Sequence, residues 1–480
     1  MSTTFFRAPQ SRCRFGIARC DITPPVGIYH RMWGAASHDR STGIHRPLNA
    51  TALHFQSLGK ENFTLVSLDH VLLWPREMST LLNAVTQQTE LSLDSFAITF
   101  THTHAAGLMD LSRESLPGGD LIAPYLEELA SKVSKIITEA RSQTQEACIT
   151  YGVGHCSLAK HRDFWDEDAR QIVCGFNPDG ECDDTVLVAR VSKPEGEVLA
   201  ALVNYACHPT TLAWDNTLIS PDFPGATCET VESMIHAPCV FLQGASGDVG
   251  PRDGYVGDVE VADRNGRQLA FAALEVLESL PPPLTQMVYT GAVVSGATIG
   301  TWEHQALESA ELARWNLIRT TIDVPYRKDL PTLDQVRESL ADWERQEKEA
   351  RQQGDEQKAS DCRAMVERMN RKLTHLEGLP QGATFPYPVV CWRIGDAIHV
   401  AVEGELYQWF QCELRKRFPE HVVLVTTLTN GSRVMYLPTA ETYGKGIYQE
   451  SIAVLEAGAL EQILESVSEI LCTLIKQSPN

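Results

Sequence analysis

Short runs of apolar, β-prone residues alternate with longer segments of helical periodicity along most of the chain. The runs at 64–68, 96–100 and 199–206 predict strands, and the apolar spacing across 124–141 predicts a helix. A chain of 480 residues is long enough to bury a large core and to build more than one layer. We therefore predict a multi-layer, mixed α/β fold of the α+β type.

The pattern changes in the segment 331–377. Apolar residues recur there at helical spacing in a highly charged background, stop at Gly354 and then resume. The apolar positions are Leu333, Val336, Leu340, Trp343, Cys362, Met365, Met369, Leu373 and Leu376. This pattern predicts a two-helix hairpin inserted between 14–330 and 378–475. A solvated projection is the favoured interpretation, and a lid or a contact between subunits stays open as an alternative.

The acidic composition argues against several classes of partner. With a formal net charge of -21, the chain shows no basic surface for nucleic acid or for an anionic membrane. No run of about 18 apolar residues is present to span a bilayer, so stable membrane insertion is not expected. The N-terminal segment has no apolar region of the secretory type, and the 13 cysteines form no CxxC pairs. These features predict a cytoplasmic protein with reduced thiols.

The stretch 96–104, FAITFTHTH, carries the most informative polar residues. Successive side chains alternate across a strand, so His102 and His104 are expected to point the same way where the strand ends. Neutral imidazole is a common zinc ligand, and a second imidazole can carry protons near neutral pH. The pair therefore suits one metal ion and one proton carrier. Two histidines in local hydrogen bonds would give the same pattern.

A third histidine lies at another predicted strand end. His208 follows the β-prone run ALVNYAC, and Pro209 prevents this strand from continuing in the middle of a sheet. Farther along, a strand runs into the glycine-rich turn GASGDVGP, which contains Asp248. Each of these features alone is more often structural than functional, so the patterns by themselves leave both interpretations open.

The order of these motifs resembles that of the neutral/alkaline, non-lysosomal ceramidases, a family of zinc-dependent amidases. The matching segments run in family order between about residues 16 and 450: GIARCDITPPVG, TGIHRPLNATALHF, LVSLDH, THTH, NYACHPT, GASGDVGP, EGEL and YLPTAETYGKGIY. The chain is identified as a divergent member, expected to lack the family's C-terminal immunoglobulin-like domain. The resemblance implies a ceramidase-like catalytic domain in two parts, 14–330 and 378–475, with the hairpin 331–377 as an insertion.

The resemblance also implies a site for one zinc ion per chain. In the family, the ligands are the first THTH histidine, the histidine of the HP motif, the glutamate of the GE motif and the first tyrosine of the C-terminal segment. Carried over to this sequence, they are His102, His208, Glu405 and Tyr436. Two imidazoles, one carboxylate and one phenolic oxygen leave room for water, as a catalytic zinc site requires.

Three further residues are implied as catalytic groups. His104 corresponds to the proposed proton carrier of the family and Tyr448 to its transition-state tyrosine. The family's mid-chain arginine corresponds to Arg162 in KHRDF. His104 would take a proton during attack and return it to the departing amine, while Tyr448 and Arg162 would stabilise the oxyanion.

One position departs from the family pattern in the motif GASGDVGP. The ceramidases carry a serine, sometimes proposed as a nucleophile, where this chain has Gly250. An acyl-enzyme on that hydroxyl is therefore excluded, whereas attack by zinc-bound water is not. A glycine can adopt a positive φ or allow close approach of a substrate, so crowding is expected if a side chain is added at Gly250.

The sequence as a whole predicts a zinc-dependent hydrolase. The favoured reaction is cleavage of an amide, N-acyl bond in a small soluble substrate by a ceramidase-like mechanism, with ceramide itself disfavoured. Two alternatives stay open: hydrolysis of an ester, lactone or glycosidic bond at the same site, and a non-catalytic binding protein that retains the metal. The expected partner is a small molecule, with no nucleic acid, and assembly into homo-oligomers is left open.

Overall fold

A computed structural model describes residues 4–59 and 61–476 of the chain. Its α-helices are α1 (Pro75–Thr89), α2 (Ile122–Ser142), α3 (Asp222–Ile235), α4 (Val259–Ser279), α5 (Leu333–Gln353), α6 (Glu356–Glu377), α7 (Trp409–Arg417), α8 (Tyr448–Ile452) and α9 (Ala459–Lys476). Within these described residues, no helix is both long and apolar enough to cross a membrane.

Strands are distributed along the whole described chain. In the first half they are β1 (Phe5–Phe6), β2 (Gln10–Asp21), β3 (Gly43–Ile44), β4 (Asn49–Gln56), β5 (Asn62–Leu68), β6 (Phe96–Phe100), β7 (Gln145–His155), β8 (Ala159–His161), β9 (Asp163–Asp166), β10 (Gln171–Cys174), β11 (Thr185–Ser192), β12 (Val198–Tyr205) and β13 (Leu218–Ile219). In the second half they are β14 (Cys239–Gln243), β15 (Val249–Pro251), β16 (Thr285–Ser295), β17 (Ala297–Ala306), β18 (Trp315–Pro325), β19 (Thr384–Ile394), β20 (Ala397–Val402), β21 (Glu405–Leu406), β22 (Val422–Thr426) and β23 (Tyr436–Leu437).

Two larger sheets form the centre of the molecule. An eight-stranded sheet has the order β14-β12-β11-β7-β2-β4-β5-β6, and a four-stranded sheet has the order β18-β19-β20-β22. The first sheet is parallel at both ends, in β12 with β14 and in β5 with β6, and antiparallel between them. The sheet is curved, so that its two edges approach each other. The Ser67 hydroxyl in β5, near one edge, donates to the Phe241 carbonyl oxygen in β14 at the other edge (3.3 Å).

The two sheets pack face to face between layers of helices. Phe63 of β5 and Trp392 of β19 meet with ring centroids 4.9 Å apart inside the shared core. Helices α1 and α2 cover the outer face of the larger sheet at one end, α3 and α4 cover it at the other, and α7 and α9 cover the smaller sheet. The predicted multi-layer, mixed α/β fold is therefore confirmed.

Strand β20 shows how the sequence places side chains between these layers. Its residues AIHVAV are all buried, because both faces of the sheet are covered. Ile398, Val400 and Val402 pack on the side of α7 and α9, whereas Ala397 and Ala401 face the larger sheet. His399 lies in the same alternating row as the two alanines, with its ring stacked on Trp392 at 4.6 Å.

His399 predicts a loss of stability in acid. Both of its ring nitrogens are buried without a hydrogen-bond partner among the described residues, and burial lowers the pKa of its imidazole to about 3. Because an unfolded chain binds this proton near pH 6.5, stability falls as the pH drops from 6.5 towards 3. His54 and His70, whose pKa values burial lowers to about 4, act in the same direction.

The substitution His399→Phe should weaken this pH dependence. Phenylalanine keeps the aromatic contact and removes the titrating group. Between pH 7 and pH 5, the unfolding free energy of the variant should therefore fall by about 2 kcal/mol less than that of the wild type. Urea unfolding at pH 5 and pH 7 measures the difference. An unchanged pH dependence in the variant would show that His399 is protonated equally in both states.

Helices α5 and α6 form the hairpin that the sequence predicts, and Gly354 ends α5 with a φ of 75°. The hairpin is, however, not a solvated projection. Gly34 of the main body lies so close to α6 that an added Cβ would be only 2.9 Å from the Cβ of Ala364. Gly378, just after α6, likewise has no room for a Cβ, because the ring of Pro75 lies against it. One face of α6 therefore packs closely against the main body, so the favoured interpretation of this segment is wrong.

Candidate metal centre

The histidines of the candidate site follow the ends of two strands. His102 and His104 come directly after β6, and His208 comes shortly after β12. The His104 amide donates to the Pro209 carbonyl oxygen (3.4 Å), and the His208 amide donates to the Val249 carbonyl oxygen (3.1 Å). Because the larger sheet is curved, these strand ends from different parts of the sequence meet.

The acidic and phenolic residues come from a short parallel pair. Glu405 of β21 lies opposite Tyr436 of β23, and the Glu405 amide donates to the Met435 carbonyl oxygen (2.7 Å). Gly404 makes this approach feasible with a φ of 90°, where an added Cβ would lie 2.9 Å from the Met435 carbonyl oxygen. The EGEL motif therefore requires glycine immediately before Glu405.

Four of the predicted residues converge on one point. The Nε2 atoms of His102 and His208 are 3.1 Å apart, and Glu405 Oε2 lies 3.3 Å from the first and 3.6 Å from the second. His104 Nε2 is also 3.1 Å from His208 Nε2. His102, His208 and Glu405 are each at most 5 % exposed. One ring nitrogen from each of the three histidines lies within 4.8 Å of the other two, close enough to hold one metal ion.

The hydrogen bonds on the far side of the rings decide what this cluster can bind. Nδ1 of His102 donates to the Val71 carbonyl oxygen (2.6 Å), and Nδ1 of His208 donates to the Ser246 carbonyl oxygen (3.4 Å). A carbonyl oxygen only accepts, so in each neutral ring the proton is on Nδ1 and Nε2 carries a lone pair. Two lone pairs and the Glu405 carboxylate thus face each other, an arrangement that a cation stabilises.

The spacing of these atoms is compatible with zinc. Tetrahedral zinc with bonds of about 2.0–2.1 Å separates its ligand atoms by roughly 3.3–3.4 Å, and the observed separations are 3.1, 3.3 and 3.6 Å. Imidazole nitrogen and carboxylate oxygen are both ordinary zinc ligands. The residues present therefore fit the metal that the resemblance implies.

Burial and neighbouring charge favour the neutral form of His208 and His104. Burial, reinforced by Arg162 and the neighbouring imidazoles, lowers the pKa of His208 well below its usual value. Burial together with His102 and Arg162 does the same to the pKa of His104. Neutral imidazole is the form that binds metal and the form that accepts a proton.

Tyr436, Tyr448 and Arg162 lie beside the cluster. The Tyr436 ring is roughly parallel to that of His208, with centroids 6.4 Å apart, and meets the Tyr448 ring edge-on at 5.8 Å. The Arg162 guanidinium lies over the Tyr436 ring at 5.2 Å and donates to the Gly247 carbonyl oxygen (2.6 Å). Burial raises the pKa of Tyr436 well above its usual value, and Arg162 opposes this effect.

Asp248 lies next to the site and accepts hydrogen bonds that hold a neighbouring turn in place. One of its carboxylate oxygens accepts from the Gln408 amide (2.8 Å) and the other from the Gln408 side chain (3.0 Å). The Gly247 amide donates to the Leu406 carbonyl oxygen (2.8 Å). These bonds fix the turn GASGDVGP against the segment that carries Glu405.

The cluster lines a cavity of about 690 Å³, whose walls include residues that the sequence patterns did not indicate. The Trp33 ring lies 5.3 Å from that of His104, and Trp214 and Tyr255 meet Trp33 edge-on at 6.2 and 5.8 Å. Tyr448 is half-exposed and faces the same space. Trp33 lies in an irregular loop, where no periodicity could have marked it.

Comparison with known proteins identifies the family. Residues 14–254 match the family described as neutral/alkaline non-lysosomal ceramidase, N-terminal, so the chain belongs to this family. The structure is similar to neutral ceramidase from Pseudomonas aeruginosa, with a TM-score of 0.67 and 15% identity over 98% of this chain and 75% of that chain. It is also similar to a ceramidase complexed with C2, with a TM-score of 0.66 and 14% identity over 98% and 77% of the two chains. No curated protein matches the sequence.

Family and fold together support a hydrolase, as the sequence predicts. At 14–15% identity the solved structures establish only the shared fold.

Proposed function

We propose that the protein is a zinc-dependent amidohydrolase that cleaves the N-acyl bond of a small substrate. The observation that supports this most strongly is the buried convergence of His102, His208 and Glu405, whose lone pairs and carboxylate face one another within 3.6 Å. These three residues, with Tyr436 beside them, would hold the zinc ion. When bound, zinc supplies Lewis acidity that makes a water molecule nucleophilic near neutral pH and polarises a carbonyl group.

The remaining residues of the site would handle protons and charge. His104 presents Nε2 to the cluster, and in the proposed reaction this atom accepts a proton from the attacking water and returns it to the departing amine. The Tyr448 hydroxyl donates to the carbonyl oxygen as negative charge develops there. Arg162 adds positive charge and positions the Tyr436 ring. The aromatic wall of Trp33, Trp214 and Tyr255 would accommodate the acyl group and exclude water.

A hydrolysis screen tests the class of bond. Purified protein is treated with a chelator, returned to zinc and assayed against N-acyl amines, N-acyl amino acids, esters and aryl glycosides of similar size. The proposal predicts zinc-restored turnover on the amides. Zinc-restored turnover confined to esters or glycosides would assign the alternative reaction, and metal retention without any turnover would assign a binding protein.

The geometry at Gly250 differs from the expectation of crowding. This glycine lies in β15 without a positive φ, and an added Cβ would make ordinary contacts with Thr210 Oγ1 at 3.5 Å and with His208 Cβ at 3.9 Å. A side chain therefore fits. The chain therefore differs from the ceramidases at this position in lacking a hydroxyl group, and not in the space available for one.

Gly250→Ser should fold, bind metal and hydrolyse amides within about threefold of the wild-type rate, because the proposed reaction needs no hydroxyl nucleophile at this position. Steady-state kinetics with a short N-acyl amine measure this, with Gly250→Ala as the control for added bulk. A gain of about a hundredfold in the serine variant alone would contradict the proposed mechanism.

A further inference from the structure

Helix α6 supplies one wall of the cavity and brings several basic side chains to it. The charged residues of α6 that line the cavity are Glu367, Arg368, Arg371 and Lys372. Arg327 and Asp329, from the segment before α5, lie at the same wall. Apart from the residues around the metal centre, the charged side chains that line the cavity are therefore concentrated at this wall, which we call the basic wall.

The carboxylates at this wall already have partners. Asp329 binds the Arg327 guanidinium through both oxygens, at 2.9 and 2.7 Å. Glu367 is 1 % exposed and pairs with Arg113 at 3.2 Å and with Arg363 at 3.0 Å. Both carboxylates therefore pair first with other arginines, and Glu367 and Asp329 offset the burial of Arg371 and Lys372 only in part.

Arg368, Arg371 and Lys372 form no ion pair with a carboxylate in the part of the chain that the structure describes. One guanidinium nitrogen of Arg371 donates to the Met32 carbonyl oxygen, while its Nε is buried without a hydrogen-bond partner. Arg368 donates to Ser451 Oγ (2.9 Å) and is otherwise exposed. Burial lowers the pKa of both Arg371 and Lys372, as expected for cations that lack full compensation.

This basic wall lies close to the metal centre. Met32, which accepts from Arg371, immediately precedes Trp33, whose ring packs on His104 at 5.3 Å. Ser451, which accepts from Arg368, belongs to α8, the helix that begins at Tyr448. A small molecule at the centre would therefore have the aromatic residues on one side and the cations of α6 on another.

We propose that Arg371, assisted by Lys372 and Arg368, binds an oxoanion on the substrate, so that the preferred substrate is an N-acyl compound with a carboxylate or phosphate on its amine portion. This inference rests on the proposed amidohydrolase function. Burying a guanidinium without a counter-ion is unfavourable in free energy, and a bound anion offsets this cost. The planar guanidinium also matches the paired oxygens of carboxylate and phosphate. In a chain of net charge -21, such a group of unpaired cations is not a general surface property.

Three substrates with the same acyl chain and the same scissile amide test the preference: an N-acyl glycine, an N-acyl aminoethyl phosphate and the neutral N-acyl ethanolamine. The wild type should favour one or both anions, and the better of the two identifies the oxoanion. Arg371→Gln should reduce kcat/KM for that anion by about 10- to 100-fold, mainly through KM, and change the neutral substrate by less than about threefold. Arg371→Lys should retain part of the preference.

Lys358→Gln serves as the matched control, because Lys358 lies on α6 but is exposed and away from the cavity. Lys372→Gln provides a second cavity variant in case Arg371→Gln folds poorly. Equal kcat/KM for anionic and neutral substrates in the wild type would overturn the proposal. So would an equal loss on all three substrates in both cavity variants.

A binding measurement separates this proposal from the proposed function. Quenching of tryptophan fluorescence reports binding of 4-phenylbutanoate and its neutral amide, neither of which needs to be cleaved. The acid should bind at least about tenfold tighter, and Arg371→Gln should abolish the difference. If the acid binds in this way but no amide is hydrolysed, the anion site stands and the amidohydrolase assignment fails. A preference for the acid that persists in both Arg371→Gln and Lys372→Gln would place the anion at the metal centre and overturn the role of α6.

Discussion

His102→Ala and His208→Ala should each lose the metal and abolish turnover. Each substitution removes one of the two imidazoles whose Nε2 atoms lie 3.1 Å apart and leaves a gap next to the Glu405 carboxylate. Metal affinity should fall by more than the roughly 10- to 100-fold that follows removal of a residue that only hydrogen-bonds a ligand. Metal content per chain after dialysis, measured beside amide hydrolysis, gives the result.

His54→Gln is the control for these variants. His54 is also buried and bonded, to Thr64 at 2.9 Å, but it lies within β4, away from the cluster. Its substitution should lower stability and leave the metal content unchanged. If His102→Ala and His208→Ala kept stoichiometric zinc and near-normal rates, the metal centre would have to be sought elsewhere.

His104→Ala should retain the metal and lose about 10²- to 10⁴-fold in rate, the usual range for a general acid and base. The expectation is that His102, His208, Glu405 and Tyr436 hold zinc while His104 moves the proton. The variant should also lose the pH dependence of kcat that a proton carrier imparts. Rate, pH profile and metal content of the same preparation test this assignment.

The position of His104 makes the metal content of that variant informative. Its Nε2 lies 3.1 Å from His208 Nε2, and its ligand atom falls within the 4.8 Å group of imidazole nitrogens. Loss of zinc from His104→Ala would make this residue a ligand. Tyr436, whose ring centroid is 6.4 Å from that of His208, would then be the first candidate to leave the ligand set.

Local patterns predicted the parts of the molecule that depend on local chemistry. The run before His102 forms strand β6 as expected, because mostly apolar, β-prone residues suit a strand that is covered on both faces. As predicted, the strand that precedes His208 does not continue to Pro209, and it ends at Tyr205. Gly354 ends α5 and makes the turn into α6, because glycine adopts the left-handed conformation at this position more readily than any other residue.

The parts that depend on distant contacts were not predictable in the same way. The pairing of Glu405 with Tyr436 joins two-residue strands that are too short to give a periodic signal. The packing of α6 was concealed by its many charged residues, since a pattern of charge does not distinguish a solvated face from a cavity wall. Arg371 in particular gains its significance from Met32, which lies far from it in sequence.

Titration of zinc into chelator-treated protein tests the central claim most directly. Hydrolysis of a short N-acyl amine should be absent at the start, rise linearly with added zinc and reach a plateau at one zinc per chain, while His208→Ala stays inactive throughout. Amide hydrolysis that is independent of zinc, or that His208→Ala supports equally well, would contradict the account.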